Sequence, residues 1–207
     1  MPLYAVGRAA KLAQVPANTA SRWHKAYRNG NSPLGQRERG QALSYFQLIE
    51  LRVVRALRES HKIKLYKIAE ARDFLAKQLK TQFPFASTRL KTDGANILAD
   101  LPETKNLVNA NAGGQIELDG IIQASLSEFI YDDELVTSWE LVRGASPIII
   151  DPKLNLGRSS IQGITTESIH DLLLAGEKAR DVAENFGLSL SEIDLAFKFE
   201  SEENTIH

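Results

Sequence analysis

The chain has 207 residues, 43% of them hydrophobic, which is enough for one large domain or two small ones with packed cores. It contains no cysteine, which excludes disulfides, thiolate metal sites and a cysteine nucleophile and fits a reducing cytosol. The net charge of −1 hides an asymmetry: residues 1–90 carry 17 Lys+Arg against 5 Asp+Glu, while residues 91–207 carry 8 against 21.

A basic half suits a polyanion, because each phosphate contact releases counterions. An acidic half is repelled by DNA and suits a protein with a basic surface. The alternative is that the two halves attract one another. Met1 to Ala10 has no apolar core of signal-peptide length, and no stretch approaches the roughly 18–20 apolar residues of a membrane span. The expectation is a cytoplasmic chain.

In chain order, Tyr4 to Tyr27 reads as two short helices. Ala9, Ala10, Leu12 and Ala13 allow close packing in the first. Val15-Pro16-Ala17 makes a tight connection, since Pro16 disfavours helix at Val15. Asn18 is the expected N-cap of the second helix. Ala20, Trp23 and Tyr27 form its apolar stripe, and Asn18, Ser21, Arg22, Lys25 and Asn29 its polar face. Asn29 to Pro33 is turn chemistry, and Gly35 to Gly40 a loop with Arg37 and Arg39 at its tip. Helical periodicity resumes from Ser44 through Phe46, Ile49, Val53 and Leu57, breaks at His61 to Ile63, and returns with Leu65, Ile68, Leu75 and Leu79.

The middle differs. Asp93-Gly94 signals a hairpin within Arg89 to Leu98, Gly114 to Ile121 alternates like a half-buried strand, and Ile148 to Ile150 reads as a short buried strand. Helix returns at the end. Thr165 or Thr166 caps a helix to Leu174, and Glu177 to Phe186 forms another, closed by Gly187. Ser189 to Glu192 has capping-box spacing and opens a last helix to about Phe199, followed by a frayed polar tail.

A helix-turn-helix needs a first helix packed by small residues, a tight turn and a second helix with a solvated polar face. Ala9 to Tyr27 meets these conditions. Arg22 and Lys25 suit guanine, and Asn18 suits adenine or phosphate. Arg37 and Arg39 stand where a wing would lay cations on the DNA backbone. The plainer alternatives are a helical hairpin with a solvated face and a flexible loop. Trp23 and Tyr27 belong to core packing rather than base stacking. The four histidines lack zinc spacing, Asp132 to Glu134 reads as a solvated turn, and no GxSxG, P-loop or GxGxxG occurs, so neither an enzyme nor a metal or cofactor is expected. The C-terminal helices permit a second helix-turn-helix, but Glu167, Asp171, Glu177, Asp181, Glu184, Glu192 and Asp194 outnumber their cations. A protein-binding or dimerising bundle fits better.

Tyr4 to Val6, Ala9 to Leu12, Val15-Pro16 and Thr19 to Trp23 resemble the opening of a MerR-type winged helix, and Tyr45 to Leu51 with Leu57-Arg58 its following helix. That resemblance carries DNA contact to Thr19, Arg22 and the loop arginines. Ile150 to Pro152, Gly157, Ile161 to Thr166, Leu174 to Gly176, Val182-Ala183, Phe186, Ile193, Ala196 and Phe199 resemble a small domain found in VapB-type antitoxins, the partners of PIN or PIN-like ribonuclease toxins. The chain departs from that pattern where Arg158-Ser159-Ser160 replaces a Gly-x-Pro region and Ile164-Thr165 replaces Thr-Arg.

The resemblance implies an antitoxin with no enzymatic activity of its own. Together with the helix face read above, which adds Asn18, Ser21, Lys25 and Arg28 to Thr19, Arg22, Arg37 and Arg39, it would bind operator DNA as a homodimer and so repress its operon. It would form a hetero-oligomer with the toxin, blocking a carboxylate- and metal-dependent site. Arg143, Arg158 and Arg180 are the candidates for that block. The other reading is a MerR-like ligand-sensing transcriptional regulator. The expected fold is mainly α with a small β module: an N-terminal winged helix-turn-helix (1–86), a connector with a central hairpin or small sheet (87–145), and a C-terminal helical bundle (146–207).

Overall fold

The computed structural model describes residues 3–25, 30–38, 40–60, 62–87, 90–92, 97–100, 107–109, 115–116, 123–124, 128–132 and 135–205. The chain divides into two compact units, one of residues 3–127 with 131–136 and one of 128–130 with 137–207.

The first unit opens with β1 (Leu3–Tyr4), α1 (Val6–Leu12) and α2 (Ala17–Trp23). Next come β2 (Leu43–Ser44) and α3 (Tyr45–Arg55), whose last turn widens into a π turn over Ala56–Ser60. α4 (Leu65–Gln78) and a short 3-10 turn (Pro84–Ala86) follow. β1 and β2 pair antiparallel, Tyr4 opposite Leu43. Tyr45, Leu48, Ile49, Leu51, Leu57, Ile68, Leu75 and Phe85 are fully buried around α3 and α4. α3 starts at a capping box: the Gln47 amide donates to Ser44 Oγ at 3.3 Å, and the Ser44 amide donates to Gln47 Oε1 at 2.8 Å.

One feature of this core is polar. Glu50 is fully buried. Its carboxylate accepts from Arg72 (Nη2 at 3.1 Å, Nε at 3.3 Å) and from the Phe85 amide at 3.1 Å. Arg72 also donates to the Gln82 carbonyl. The carboxylate therefore ties α3 to α4 and to the 3-10 turn. Burial pushes its pKa up to about 7, against the lowering effect of Arg72 and the Phe85 amide.

β3 (Leu90–Thr92), β4 (Ile97–Asp100), β5 (Leu107–Asn109), β6 (Gln115–Ile116) and β7 (Gln123–Ala124) form an antiparallel five-stranded sheet, in the order β6-β5-β4-β3-β7. Thr92 faces Ile97 across β3 and β4. The Asp93-Gly94 turn lies outside the described residues. Of the strand expected over Gly114 to Ile121, Gln115–Ile116 are described as β6, and the other residues lie outside the described ones.

The second unit holds most of another antiparallel five-stranded sheet, β12-β11-β10-β9-β8. Its strands are β8 (Phe129–Asp132), β9 (Leu135–Val142), β10 (Ile148–Ile150), β11 (Ser160–Ile161) and β12 (Ile164–Thr165). β11 and β12 meet through Gln162-Gly163, both at positive φ (47° and 83°), as a tight two-residue hairpin turn requires. α5 (Thr166–Leu174), α6 (Ala179–Phe186) and α7 (Leu190–Thr205) complete the unit. Ile148 and Ile161 of the sheet share one core with Ile169, Val182, Ile193 and Ala196 of the helices.

The expected fold class is therefore corrected. Two five-stranded sheets replace the small β module, and the C-terminal region is not a helical bundle but helices packed with a sheet. Most of these strands have only two to four residues, too short to display a period of two. Three local expectations also change. Pro16, not Asn18, is the N-cap of α2; no strand forms a wing among the described residues of 30–42; and α7 continues to Thr205 instead of ending near Phe199.

Thr165 caps α5, accepting from the Ser168 amide at 3.3 Å, and Gly187 ends α6 in the left-handed region. The Ser189–Glu192 box forms as expected: the Ser189 amide donates to Glu192 Oε2 at 2.7 Å and the Glu192 amide to Ser189 Oγ at 3.3 Å. Gln162 Nε2 donates to the other carboxylate oxygen. Hydrogen bonds from the Ser146 hydroxyl, then from Ser189 and Gln162, lower the Glu192 pKa to about 2. Glu192→Ala is expected to cost about 1–2 kcal/mol in denaturant unfolding at pH 7. The contribution of this carboxylate is present above pH 4.5 and lost as pH falls toward about 2, so the difference between wild type and variant shrinks in acid.

Candidate functional site

α1 and α2 are joined by a tight turn. Gln14 sits in the left-handed region at φ 55°, the Val15 amide donates to the Ala10 carbonyl at 2.8 Å, and the Val15 side chain is buried. Ala9, Ala10, Leu12, Ala20 and Trp23 fill the space between the helices and the core, so Trp23 packs inward as its stripe predicts. Arg55 of α3 donates to Gln14 Oε1, bracing the turn from outside.

The opposite face of α2 is solvated. Asn18 and Arg22 are exposed, as is Lys25 just beyond the helix end, while Thr19 and Ser21 are half-buried. Arg22 Nη2 donates to Thr19 Oγ1 at 3.5 Å, and Thr19 Oγ1 donates to Asn18 Oδ1 at 3.4 Å. Arg28 and Arg39 lie outside the described residues. Arg37 is half-buried, and its guanidinium donates to the Gln41 carbonyl within its own loop. That loop is anchored to α2 by His24, whose Nδ1 lies 2.9 Å from the Gly35 carbonyl and donates to it. Burial lowers the pKa of His24, the Gly35 carbonyl raises it, and Arg37 and Arg72 lower it further. Gly35 is at φ 73°, and a Cβ there would lie 2.9 Å from Arg72 Nη2, so a larger residue would be strained and would push the guanidinium aside.

Residues not anticipated from the sequence complete this surface. Thr19, Arg22, Arg58, Glu59, Lys62 and Leu65 line, with Trp23, a cleft of about 390 Å³. The π turn carries Arg58 and Glu59 to it, and Lys62 follows at φ 58°. Glu59 is 2.8 Å from Arg55, which offsets its charge, so Arg22, Arg58 and Lys62 give the cleft a positive field. Arg58 has helical spacing in the sequence, but the wider last turn of α3 is what sets its direction.

In the second unit, the three arginines assigned to partner binding stand on separate elements. Arg143 follows β9 and is 3.6 Å from Glu140. Arg158 precedes β11 and is 3.3 Å from Glu167. Arg180 is exposed near the start of α6. The structure does not gather them into one cluster by hydrogen bonds or ion pairs among the described residues. Ser159, Thr166 and Glu200 do form a cluster, with Ser159 Oγ 2.8 Å from Thr166 Oγ1 and donating to Glu200 Oε1 at 3.2 Å. All three are buried, so this is a polar tie between α5, α7 and the start of β11.

Among the described residues no helix is long and apolar enough to cross a membrane. No protein-family model matches the chain. It is similar to the uncharacterized protein Rv2308 of Mycobacterium tuberculosis, 23% identical over 214 residues that span 95% of this chain and 89% of that protein. The crystal structure of Rv2018 from the same organism superposes with a TM-score of 0.63 at 18% identity, covering 95% of this chain and 97% of that one, and this likeness bears on the fold alone.

Proposed function

We propose that the chain is a cytoplasmic antitoxin of a type II toxin–antitoxin pair, which binds operator DNA through its first unit and a ribonuclease toxin of PIN type through its second. It would act as a homodimer on a palindromic site and carry no catalytic activity. The observation that carries the DNA half is the convergence of Arg22, Arg58 and Lys62 on one solvent cleft beside the polar face of α2. One helix supplies a base-reading candidate and a second element supplies cations for the flanking phosphates, the division of labour that a helix-turn-helix uses. Asn18, Thr19, Ser21 and Lys25 extend the same face. The excess of 17 basic over 5 acidic residues in 1–90 supports the same reading, and the acidic remainder supports a protein partner.

The test is fluorescence anisotropy on the promoter fragment of the chain's own operon over a range of salt. Arg22→Ala is expected to weaken specific binding by about 1–3 kcal/mol and relax preference at one base pair. Arg58→Ala or Lys62→Ala should weaken binding to all sequences alike and reduce the salt slope by about one. Equal binding by wild type and the Arg22/Arg58/Lys62 triple alanine variant would sink the DNA assignment.

A further inference from the structure

The loop after α2 is held at Gly35 by two side chains. The Gly35 carbonyl accepts from His24 Nδ1 at 2.9 Å. The same residue abuts Arg72, where a Cβ would lie 2.9 Å from Nη2 and 3.1 Å from Cζ. Arg72 is itself fixed, because Glu50 and the Gln82 carbonyl both take hydrogen bonds from its guanidinium. Leu34 is buried and fixes the start of the loop. Past Gly35 the described hydrogen bonds are internal: Arg37 donates to the Gln41 carbonyl, and the Glu38 amide donates to Gln41 Oε1 at 3.4 Å. Among the described residues, the His24–Gly35 bond is therefore the last tie between α2 and the segment that carries Arg37.

That tie depends on protonation. Because Nδ1 donates, the proton of the neutral ring sits on Nδ1 and the lone pair on Nε2. Nε2 is buried and has no hydrogen-bond partner among the described residues. A second proton would create a donor with no acceptor and a charge beside two others. The charged groups that act on the ring are Arg37 from the loop and Arg72 from α4, both cations. Glu50 of α3 is engaged with Arg72, and Asp73, which lines a cleft with Gly35 and Arg72, is 2.7 Å from Lys77. The Gly35 carbonyl favours the imidazolium, but burial and the two arginines outweigh it, and the pKa falls below 6.5. The charged ring is satisfied only in water, away from Gly35.

We infer that His24 is a positioning residue for the DNA-binding surface: its neutral, Nδ1-protonated ring locks the loop that carries Arg37 to the end of α2, and charging the ring releases that loop. This rests on the DNA-binding reading and adds the proton as a regulator of the same site. DNA affinity then falls in acid. A histidine that touched phosphate would do the opposite, since the imidazolium adds a cation to the interface.

The test is fluorescence anisotropy on the promoter fragment at fixed salt from pH 7.5 to 5.5, with the imidazole nitrogens and the amides of residues 34–38 followed by NMR in the free chain. Affinity is expected to fall by at least about fivefold over that range. The loop amides should shift with the midpoint of His24. His24→Asn keeps a donor near the place of Nδ1 and does not titrate, so its affinity should stay level with pH. Glu50→Gln should keep the wild-type fall. A level profile for the wild type, or a fall that persists in His24→Asn, overturns the inference and leaves the DNA reading standing. Affinity that rises in acid makes His24 a phosphate contact, and a fall abolished by Glu50→Gln moves the titration to that carboxyl; each overturns the inference too. Should His24→Asn unfold at pH 7.5, the wild-type amides decide, and amides that ignore the His24 midpoint overturn it. No binding by the wild-type chain at pH 7.5 overturns both readings.

Discussion

Arg72→Met is expected to destabilise the first unit by about 3–5 kcal/mol at pH 8, because it leaves a fully buried Glu50 carboxylate without its cationic partner. Only the Phe85 amide would then remain of the hydrogen bonds described for that carboxylate. The Gln82 carbonyl would lose a donor, and the guanidinium surface facing Gly35 would be gone. Urea unfolding of the variant measures the loss. Glu50→Gln in the Arg72→Met background should restore part of it, since the residual penalty comes from the unpaired charge, and the double-mutant cycle isolates that coupling. A loss below 1 kcal/mol at pH 8 would show that the pair contributes little to holding α3, α4 and the 3-10 turn together.

The same carboxyl makes stability depend on pH in an unusual direction. Its ordinary pKa is 4.5 and its folded value about 7, so within that window the folded chain holds a proton that the unfolded chain has released. The stabilisation is complete below pH 4.5 and is lost as pH rises through about 7, a decline of roughly 3 kcal/mol. His24 acts in the opposite sense. Its folded pKa lies below 6.5, so its contribution is present above that value and lost as pH falls through the folded pKa. Comparing wild type with Glu50→Gln at each pH separates the two. The variant should lack the decline between pH 5 and 8, and parallel profiles for the two proteins would refute the assignment to Glu50.

The legible parts of the chain were those whose signal is local. Gly187, the Ser189–Glu192 box and the stripe of Ala20 and Trp23 each follow from a few adjacent residues, and the structure has all of them. The hairpin over Arg89 to Leu98 and the strand at Ile148 to Ile150 were legible as well, as β3 with β4 and as β10, but the extent of the two sheets was not, because pairing is decided at a distance. β9 has eight residues, yet Ser138 is buried beside Trp139, which breaks the alternation that would have marked it. Phe129 meets Trp139 edge-on at 5.7 Å, a partnership no local pattern announces. At the site, the polar face of α2 was legible from helical spacing. The contribution of Arg58 and Lys62 was not, because the π turn and the left-handed Lys62 redirect the chain in a way residue types do not encode.

The ribbon of β1 and β2 has a consequence for local opening. Tyr4 and Leu43 are neighbours in space but about forty residues apart in the chain, so their pairing closes a long loop around α1 and α2. The entropy of closing such a loop must be offset by contacts between segments distant in the chain, which neither helix supplies alone. The register of α1 and α2 against α3 is therefore set by a non-local contact, not by the helices themselves. A two-residue ribbon is a short clamp, so local opening of the first unit is expected to start at β1 and β2, while the Glu50–Arg72 tie still holds α3 to α4. Hydrogen exchange in α1 and α2 would then run faster than in α3, and any ligand of the α2 face would slow it.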